Sequence, residues 1–183
     1  LPMTRISDFS KAKILTWYGP AEYNVLEKLG ARPIPMGVLE ISAAIRQNMA
    51  DTLIAPAVWI LGSQLYTTVK YVNPVKIRYS PVALVVRLEA WNSLPQTYRS
   101  ALMELRDKKL KEFTIKSRRD SIKSLTAMVD RAGVKKGIMS AQELKLMQDR
   151  VKPVWREMAG KDFPESLLDE LCARLAEYRA QKT

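Results

Sequence analysis

The sequence predicts an α/β protein in which a small, mainly parallel sheet is followed by a very long helix and two C-terminal helices. Two observations support this fold class. Residues 13–56 alternate short apolar strands with helices without interruption, which is the pattern of βαβ units in a parallel sheet. Residues 96–132 contain neither proline nor glycine, so a single helix of more than thirty residues is predicted there.

The first strand and helix follow from chain breakers and hydrophobic spacing. Residues 12–17 are expected to form the first strand. A helix over 21–29 starts after Gly19-Pro20, because proline suits a first helical turn, and ends at Gly30. Its inward face is expected to carry Tyr23, Leu26 and Leu29.

The same alternation continues through two further strands. A strand is predicted over 32–35, a helix over 38–48 and a third strand over 52–55. The inward residues of this second helix are expected to be Ile41, Ala44 and Ile45. Because parallel strands need right-handed crossovers, the two helices are expected to cover the sheet.

Longer helical segments dominate the remaining chain. The patterns predict a helix over 56–66, a β-branched strand over 82–87 that leaves the sheet, and a helical turn over 89–93. The long helix starts after Ser93-Leu94-Pro95-Gln96, which has capping-box spacing, and ends before Gly133. Its apolar residues cluster towards its two ends, so we expect the helix to pack at both ends and its polar middle to be exposed to solvent.

Two helices are predicted to complete the chain. Ser140 caps a helix that ends near Gly160 and is expected to bend at Pro153. A last helix opens at Phe163-Pro164-Glu165. Its apolar stripe consists of Leu167, Leu168, Leu171, Cys172, Leu175 and Tyr178.

The chain has a strong excess of positive charge. Thirty basic residues against nineteen acidic ones give a formal net charge of +11. The excess concentrates on the long helix, at Lys108, Lys109, Lys111, Lys116, Arg118, Arg119 and Lys123. No aromatic residue alternates with these charges to stack on bases, apart from Phe113 on the apolar side. We therefore interpret them as a solvated helix face and predict no nucleic-acid partner.

The composition argues against catalysis. The sequence has no histidine, which excludes Ser-His and Cys-His nucleophilic chemistry and histidine-based metal sites. It also has no glycine-rich phosphate loop. We predict no catalytic residue, no metal and no cofactor. The single cysteine, Cys172, is expected to be a buried small hydrophobe.

Neither a membrane-spanning run nor a leader segment at the start is present in the sequence. No run of the sequence is long and apolar enough to span a bilayer. The chain begins with Leu1 and lacks a basic and apolar leader, so it is interpreted as a processed protein or a piece of one.

The order of several short motifs resembles the second half of the solute-binding proteins of tripartite ATP-independent periplasmic (TRAP) transporters. The resemblance runs from about Asp8 to the C-terminus. Its motifs are KIL-W at 13–17, LGARPIPM at 29–36, Leu39-Glu40-Ile41, Ala50-Asp51 before Pro56, Lys70-Tyr71, Trp91-Asn92-Ser93-Leu94-Pro95 before the long helix, and Pro153-Val154-Trp155. Each motif is weak alone, but their order and spacing together are fairly specific.

The resemblance implies a periplasmic binding protein type II-like fold, with two α/β lobes around a ligand cleft. Residues 1–92 would be the second lobe and 93–183 the long spanning helix and C-terminal helices, with the first lobe absent. It further implies a periplasmic protein that delivers a small organic ligand to the membrane subunits of the transporter. We predict that apolar surfaces around Leu102 and Leu171 are covered by the missing lobe or by a second copy of the chain.

Three positions of the resemblance concern the ligand. Acid-binding relatives carry an arginine after the Lys-Ile pair, where this chain has Leu15. They tend to carry an aromatic residue after the Pro-Met pair, where this chain has Val38, and an asparagine before the proline, where it has Ala55. All three contacts are aliphatic here, so the ligand is predicted to be more apolar than a C4 dicarboxylate.

The predicted pocket wall lies at the strand ends, where open α/β sheets bind their ligands. Its candidate residues are Leu15, Trp17, Tyr18, Val38, Ala55, Pro56 and Trp59. The competing interpretation is that the aliphatic residues are plain core and that the tryptophans pack under the sheet. Other residues have structural interpretations: Asp51 is expected to stabilise a turn, and Glu40 lies in the first turn of its helix, where a carboxylate interacts favourably with the helix dipole. Arg78 and Arg87 could contribute positive charge to a cleft, but we interpret them as surface charges.

Two other functions remain open from the sequence. The basic helix could bind nucleic acid or an acidic partner, which predicts an affinity that falls steeply with salt. The chain could also be the effector-binding domain of a transcription regulator, which predicts a DNA-binding segment upstream of Leu1.

Overall fold

The computed structural model describes residues 1–17, 19–77 and 83–181. A parallel three-stranded sheet organises the first part of the chain. After a 3-10 turn at Ile6–Lys11 come β1 at Lys13–Thr16, α1 at Pro20–Lys28, β2 at Arg32–Pro35, α2 at Val38–Arg46 and β3 at Thr52–Leu53. The strand order is β2-β1-β3 and both pairs are parallel. The predicted alternation is confirmed, although β3 ends two residues early.

The later elements are mostly helical. They are α3 at Ala57–Gly62, a 3-10 turn at Leu65–Thr67, β4 at Tyr71–Val72, α4 at Leu88–Ser93, α5 at Gln96–Asp130, β5 at Lys135–Lys136, α6 at Ala141–Met158 and α7 at Glu165–Ala180. The predicted helix over 56–66 is divided, because Gln64 adopts a left-handed conformation with φ of 58°. Strands β4 and β5 pair in parallel as a second small sheet that the sequence did not predict.

The prediction of a strand over 82–87 is wrong for residues 83–87. Val82 lies outside the described residues. Residues 83–87 form no ladder, and Leu84 and Val85 are 89% and 82% exposed. A β-branched run favours an extended backbone, but a strand also requires a neighbouring strand to pair with.

The described residues form two compact units. The first comprises residues 1–55, 68–73 and 135–183, and the second comprises 56–67 and 74–134. The division at residue 92 that the resemblance implies concerns the lobes of a whole receptor, and it stays a prediction.

The core of the first unit lies between the sheet and its helices. The residues predicted to face inward from α2, Ile41, Ala44 and Ile45, are all buried. Helix α1 buries Leu26 and packs against α6, which buries Met147, Val154 and Met158. Ser140 caps α6 as predicted, because its Oγ accepts the Glu143 N–H at 3.2 Å.

In the second unit, α3 packs against α5. The buried residues of α5, Ser124 and Met128, lie in its C-terminal part, whereas residues 100–116 are exposed. The basic residues predicted to form a solvated face are exposed, and Lys109 pairs with Glu112 at 3.0 Å. Phe113 is also 55% exposed.

Helix α7 differs from the sequence prediction in its burial. Cys172 is exposed rather than buried, and no residue of α7 is fully buried. The prediction failed because leucines flank Cys172 on a helix whose contact with α6 lies on another face. Arg156 of α6 pairs with Asp169 at 2.6 Å, and this carboxylate raises the pKa of the guanidinium.

We expect Thr16→Val to stabilise the protein. Thr16 is 1% exposed, and its Oγ1 has no hydrogen-bond partner among the described residues. An unpaired buried hydroxyl costs about 1–3 kcal/mol, and valine has nearly the same shape. Urea denaturation should show a gain of about 1 kcal/mol in the free energy of unfolding. The control Thr16→Ser keeps the hydroxyl and removes a methyl group, so it should lower the free energy of unfolding. A lower free energy of unfolding in Thr16→Val would contradict the expectation, because it would mean that the Thr16 hydroxyl has a hydrogen-bond partner such as ordered water.

We expect Gly137→Ala to loosen the N-terminal segment. The Gly137 N–H donates to the Val72 carbonyl at 2.8 Å, and the Asn73 Nδ2 donates to the Met3 carbonyl at 2.6 Å. A Cβ on Gly137 would overlap the carbonyl oxygen of Pro2. Since this obstacle is backbone, the expected loss is about 1–3 kcal/mol. Thermal unfolding measures it, together with faster hydrogen exchange near Met3.

The matched control is Gly62→Ala, because a Cβ there meets no heavy atom within 4 Å. That variant should be neutral or slightly stabilised. Equal effects of the two substitutions would contradict the close approach of Pro2 to Gly137.

Candidate ligand-binding site

The three parallel strands end at one edge of the sheet. Leu15 is in register with Ile34 of β2 and with Leu53 of β3. The ladder of β1 and β2 continues one step further, since the Met36 N–H donates to the Thr16 carbonyl at 3.0 Å. The segments that follow the strands, which start at residues 17, 36 and 54, therefore meet at this edge. We call it the strand-end edge.

Trp17 connects two of these segments. Its indole Nε1 donates a hydrogen bond to the Ile54 carbonyl at 3.2 Å, and the side chain is half-buried. The bond fixes the ring across the ends of β1 and β3. An indole whose N–H is engaged in this way offers mainly its ring surface for recognition.

Val38 opens α2 at the same edge. It is 44% exposed. The preceding turn is held by Glu40, whose carboxylate accepts the Gly37 N–H at 3.2 Å, so the predicted role of Glu40 at the helix start is confirmed. Ala55, which follows β3, is half-buried.

Leu15 occupies a different environment. Its side chain is 1% exposed and lies in the core of the first unit. The same holds for Ile14 before it, so β1 is buried on both faces. Leu15 is thus part of the hydrophobic core beside the sheet. Burial of a charged side chain there would cost the most folding free energy.

Asp51 sets the start of the third strand segment. Its Oδ1 accepts the Lys13 N–H at 3.1 Å, and its own N–H donates to the Lys13 carbonyl at 3.2 Å. The predicted turn-stabilising role of Asp51 is confirmed. These bonds tie the beginnings of β1 and β3 together and so set the positions of Trp17 and Ile54 at their ends.

Two predicted wall residues belong to the second unit. Pro56 is the exposed N-cap of α3, and Trp59 is half-buried in its first turn, where its N–H donates to the Pro56 carbonyl at 2.9 Å. Tyr18 and Arg78 lie outside the described residues. Arg87 is the exposed N-cap of α4.

The electrostatics of the described residues give no indication of acid–base chemistry at the strand-end edge. The shifted pKa values belong to exposed ion pairs and to Tyr23, whose pKa is raised by the neighbouring Glu27 carboxylate. Asp107 has a lowered pKa because Arg106 donates to it. None of these groups lies on residues that form the edge. Catalytic sites usually concentrate such shifts.

The described residues contain neither a metal-binding cluster nor a membrane-spanning helix. Among residues 1–17, 19–77 and 83–181, no three acidic or cysteine side chains come together as a metal site would require. Within the same ranges, no helix combines the length and the apolar character needed to cross a bilayer.

Of the predicted wall residues, the structure places Trp17, Val38 and Ala55 at the strand-end edge. Sequence reasoning missed one contact there. It named Trp17 and Ala55 and did not name Ile54, whose carbonyl anchors the indole. The signal for this contact is weak, because a main-chain acceptor carries no side-chain signature in a sequence.

Comparison with known proteins gives a consistent result. Residues 1–162 match the model of bacterial extracellular solute-binding protein family 7, DctP. An uncharacterized protein from Haemophilus influenzae is 24% identical over 102 residues, which cover 56% of this chain and 31% of that protein.

Solved structures share the fold. The sugar acid binding protein DctPAm from Advenella mimigardefordensis, in complex with galactonate, matches with a TM-score of 0.83 and 20% identity, over 91% of this chain and 55% of that one. A TRAP periplasmic solute binding protein from Fusobacterium nucleatum with bound sn-glycerol-3-phosphate matches with a TM-score of 0.79 and 18% identity, over 99% and 57%. The chain thus spans little more than half the length of these structures. The likeness confirms the expected type II-like α/β fold.

Proposed function

Because the chain belongs to bacterial extracellular solute-binding protein family 7, the solute-binding proteins of TRAP transporters, we propose that it supplies one wall of a receptor site for a small organic ligand. The observation that supports this most strongly is the strand-end edge, where Trp17 is held across two strand ends by its bond to Ile54. A fixed aromatic surface beside exposed Val38 suits ligand binding without turnover.

The ligand proposed for this wall is more apolar than a C4 dicarboxylate. The Advenella and Fusobacterium proteins are described with galactonate and with sn-glycerol-3-phosphate, both anions. In this chain the position expected for a carboxylate-binding arginine holds buried Leu15, and the neighbouring wall positions hold Val38 and Ala55. Without a guanidinium, a bidentate pair with a carboxylate cannot form at this strand. Trp17, Val38 and Ala55 instead favour ring or alkyl surfaces, with Leu15 as the packing beneath them.

The other proposed wall residues are Tyr18, Pro56 and Trp59. Tyr18 follows Trp17 directly in the sequence and would add one hydroxyl to the wall. Pro56 and Trp59 follow Ala55 along the chain. We propose them as ligand contacts because the loops after parallel strands are the usual place for ligands in open α/β sheets.

Nuclear magnetic resonance titration tests the location of the site. Amide and indole signals of isotope-labelled protein are followed while aliphatic or aromatic monocarboxylates and uncharged ring compounds are added. The proposal expects shifts at the Trp17 indole, Val38 and Ala55. Shifts confined to the basic face of α5 would contradict it, and would instead favour binding of an acidic partner there.

We further propose that the protein acts outside the cytoplasm, in the periplasm, and passes its ligand to transporter membrane subunits. Family membership supports this role. The remainder of a two-lobed receptor, or a second copy of the chain, would cover the apolar surfaces of α5 and α7. Exposed apolar residues such as Leu102 and Leu171, at 50% and 57%, support such a cover.

A further inference from the structure

Helix α5 carries a straight row of basic and apolar side chains along one side. Lys108, Lys111, Ile115, Arg118 and Ile122 follow one another at intervals of three, four, three and four, so they line up along the helix. All five are exposed, and the two isoleucines are 60% and 67% exposed. We call these five residues the α5 row.

The α5 row lies away from the side of the helix that packs. At about 100° per residue, the row is centred about 140° around the helix from the buried residues Ser124 and Met128. Leu110 and Phe113 are in line with these two buried residues. A cover supplied by the remainder of a two-lobed receptor therefore continues the packing on that side, and it leaves the α5 row to a different partner.

The positive charges of the α5 row are not neutralised by neighbours. Lys108, Lys111 and Arg118 form no ion pair within the part of the chain that the structure describes, and Glu104, one turn before Lys108, marks the end of the row. The ion pairs of α5 among the described residues are Arg106–Asp107, Lys109–Glu112 and Arg119–Asp120. The row thus presents three unpaired cations beside two exposed isoleucines.

The anionic surface of a phospholipid bilayer matches this combination. Lysine and arginine reach lipid phosphates with their charged heads while their stems lie along the apolar boundary. Ile115 and Ile122 favour an apolar layer directly beneath the anionic groups, which a bilayer has and an acidic protein surface generally lacks. The row extends over about 21 Å at about 1.5 Å per residue, and a straight helix side of this length fits a flat surface. No aromatic residue lies in the row to stack on nucleic-acid bases.

We propose that the α5 row is a weak docking site for the anionic surface of a phospholipid bilayer. This inference rests on the proposed function, because a receptor that passes its ligand to membrane subunits works beside such a surface. Docking through the row keeps the receptor close to those subunits. With three cations and two isoleucines the contact is reversible, and it weakens as salt screens the charges.

Co-sedimentation with lipid vesicles tests the proposal. Mixed phosphatidylglycerol and phosphatidylcholine vesicles should bind the unaltered chain at low salt, and vesicles of phosphatidylcholine alone should not. Each basic residue near an anionic surface strengthens binding about fivefold. The triple variant Lys108→Gln, Lys111→Gln and Arg118→Gln should therefore bind the mixed vesicles about a hundredfold more weakly.

Two further variants separate the row from overall charge and the isoleucines from the cations. The matched control removes three exposed charges elsewhere and should bind nearly as tightly as the unaltered chain; its substitutions are Arg150→Gln, Lys152→Gln and Lys161→Gln. The double variant Ile115→Gln and Ile122→Gln keeps every charge and should bind about tenfold more weakly, because it loses apolar contact with the bilayer. Circular dichroism of each variant checks that α5 is still helical.

Binding that requires the anionic lipid, is lost in the triple α5 variant and is kept in the control supports the proposal. The proposal is overturned if the mixed vesicles do not bind, if the control weakens binding as much as the α5 variant, or if the isoleucine variant binds unchanged. Binding of a polyglutamate peptide through the row without vesicle binding also overturns it and favours an acidic protein as the partner. No ligand is present in these measurements, so a failure here leaves the titration of the strand-end edge, and with it the proposed function, untouched.

Discussion

Replacement of Leu15 by arginine is expected to remove most of the protein's stability. Leu15 is 1% exposed and lies on the central strand β1, which is buried on both faces. A guanidinium there would be buried, and the buried residues of the described part of the chain include no carboxylate to pair with it, so the cost is about 3–5 kcal/mol or more. Since small domains are stable by only about 5–15 kcal/mol, urea denaturation should show a much lower midpoint or an unfolded chain.

Leu15→Met provides the control, because it conserves volume and apolar character and should cost less than about 1.5 kcal/mol. A stable Leu15→Arg variant that also gains affinity for succinate would contradict this expectation. It would mean that position 15 opens towards the ligand in the assembled protein.

Replacement of Trp17 by alanine is expected to cause the largest loss of ligand affinity. The ring is held across the ends of β1 and β3 by its bond to the Ile54 carbonyl. Removing an aromatic anchor from a binding surface typically costs about 2 kcal/mol or more, which is roughly thirtyfold in affinity. Calorimetric titration with the ligand found by the resonance experiment measures this loss.

Trp17→Phe separates recognition from positioning. Phenylalanine keeps a ring but cannot donate to Ile54, so it should cost about 1 kcal/mol in stability while retaining most of the affinity. If Trp17→Ala binds as tightly as the unaltered chain, the tryptophan is only a structural support and the proposed wall is wrong.

The sheet could be predicted because its sequence signals are local and agree with one another. Helix α2 buries the residues that its periodicity placed inward, Ile41, Ala44 and Ile45, and β2 begins and ends at the predicted residues. Gly30 ends α1 by adopting a left-handed conformation with φ of 88°, which glycine tolerates without strain.

Other elements depend on partners distant in sequence. Strands β4 and β5 have two residues each, and Lys135–Lys136 has no β-branched or alternating pattern. They form because Lys135 and Gly137 donate to the carbonyls of Lys70 and Val72. Conversely, Val85 and Val86 have strong strand propensity, yet residues 83–87 form no strand in the described part of the chain.

The candidate site was predictable in location and less so in detail. Strand ends are the usual ligand edge of an open α/β sheet, and Trp17, Val38 and Ala55 lie there. Burial, however, distinguishes Leu15, which is in the core, from Val38, which is 44% exposed. Both are aliphatic residues near strand ends, so the sequence alone could not separate them.

Among its described residues, the wall at the strand-end edge has no arginine to bind a carboxylate, and we propose that it favours an apolar ligand. Isothermal titration calorimetry of the chain against succinate and malate, beside an aromatic or branched aliphatic compound of similar size, tests it most directly. We expect no measurable heat of binding for the two dicarboxylates, and saturable binding of the apolar compound that is lost in Trp17→Ala. Tight binding of succinate or malate would contradict it.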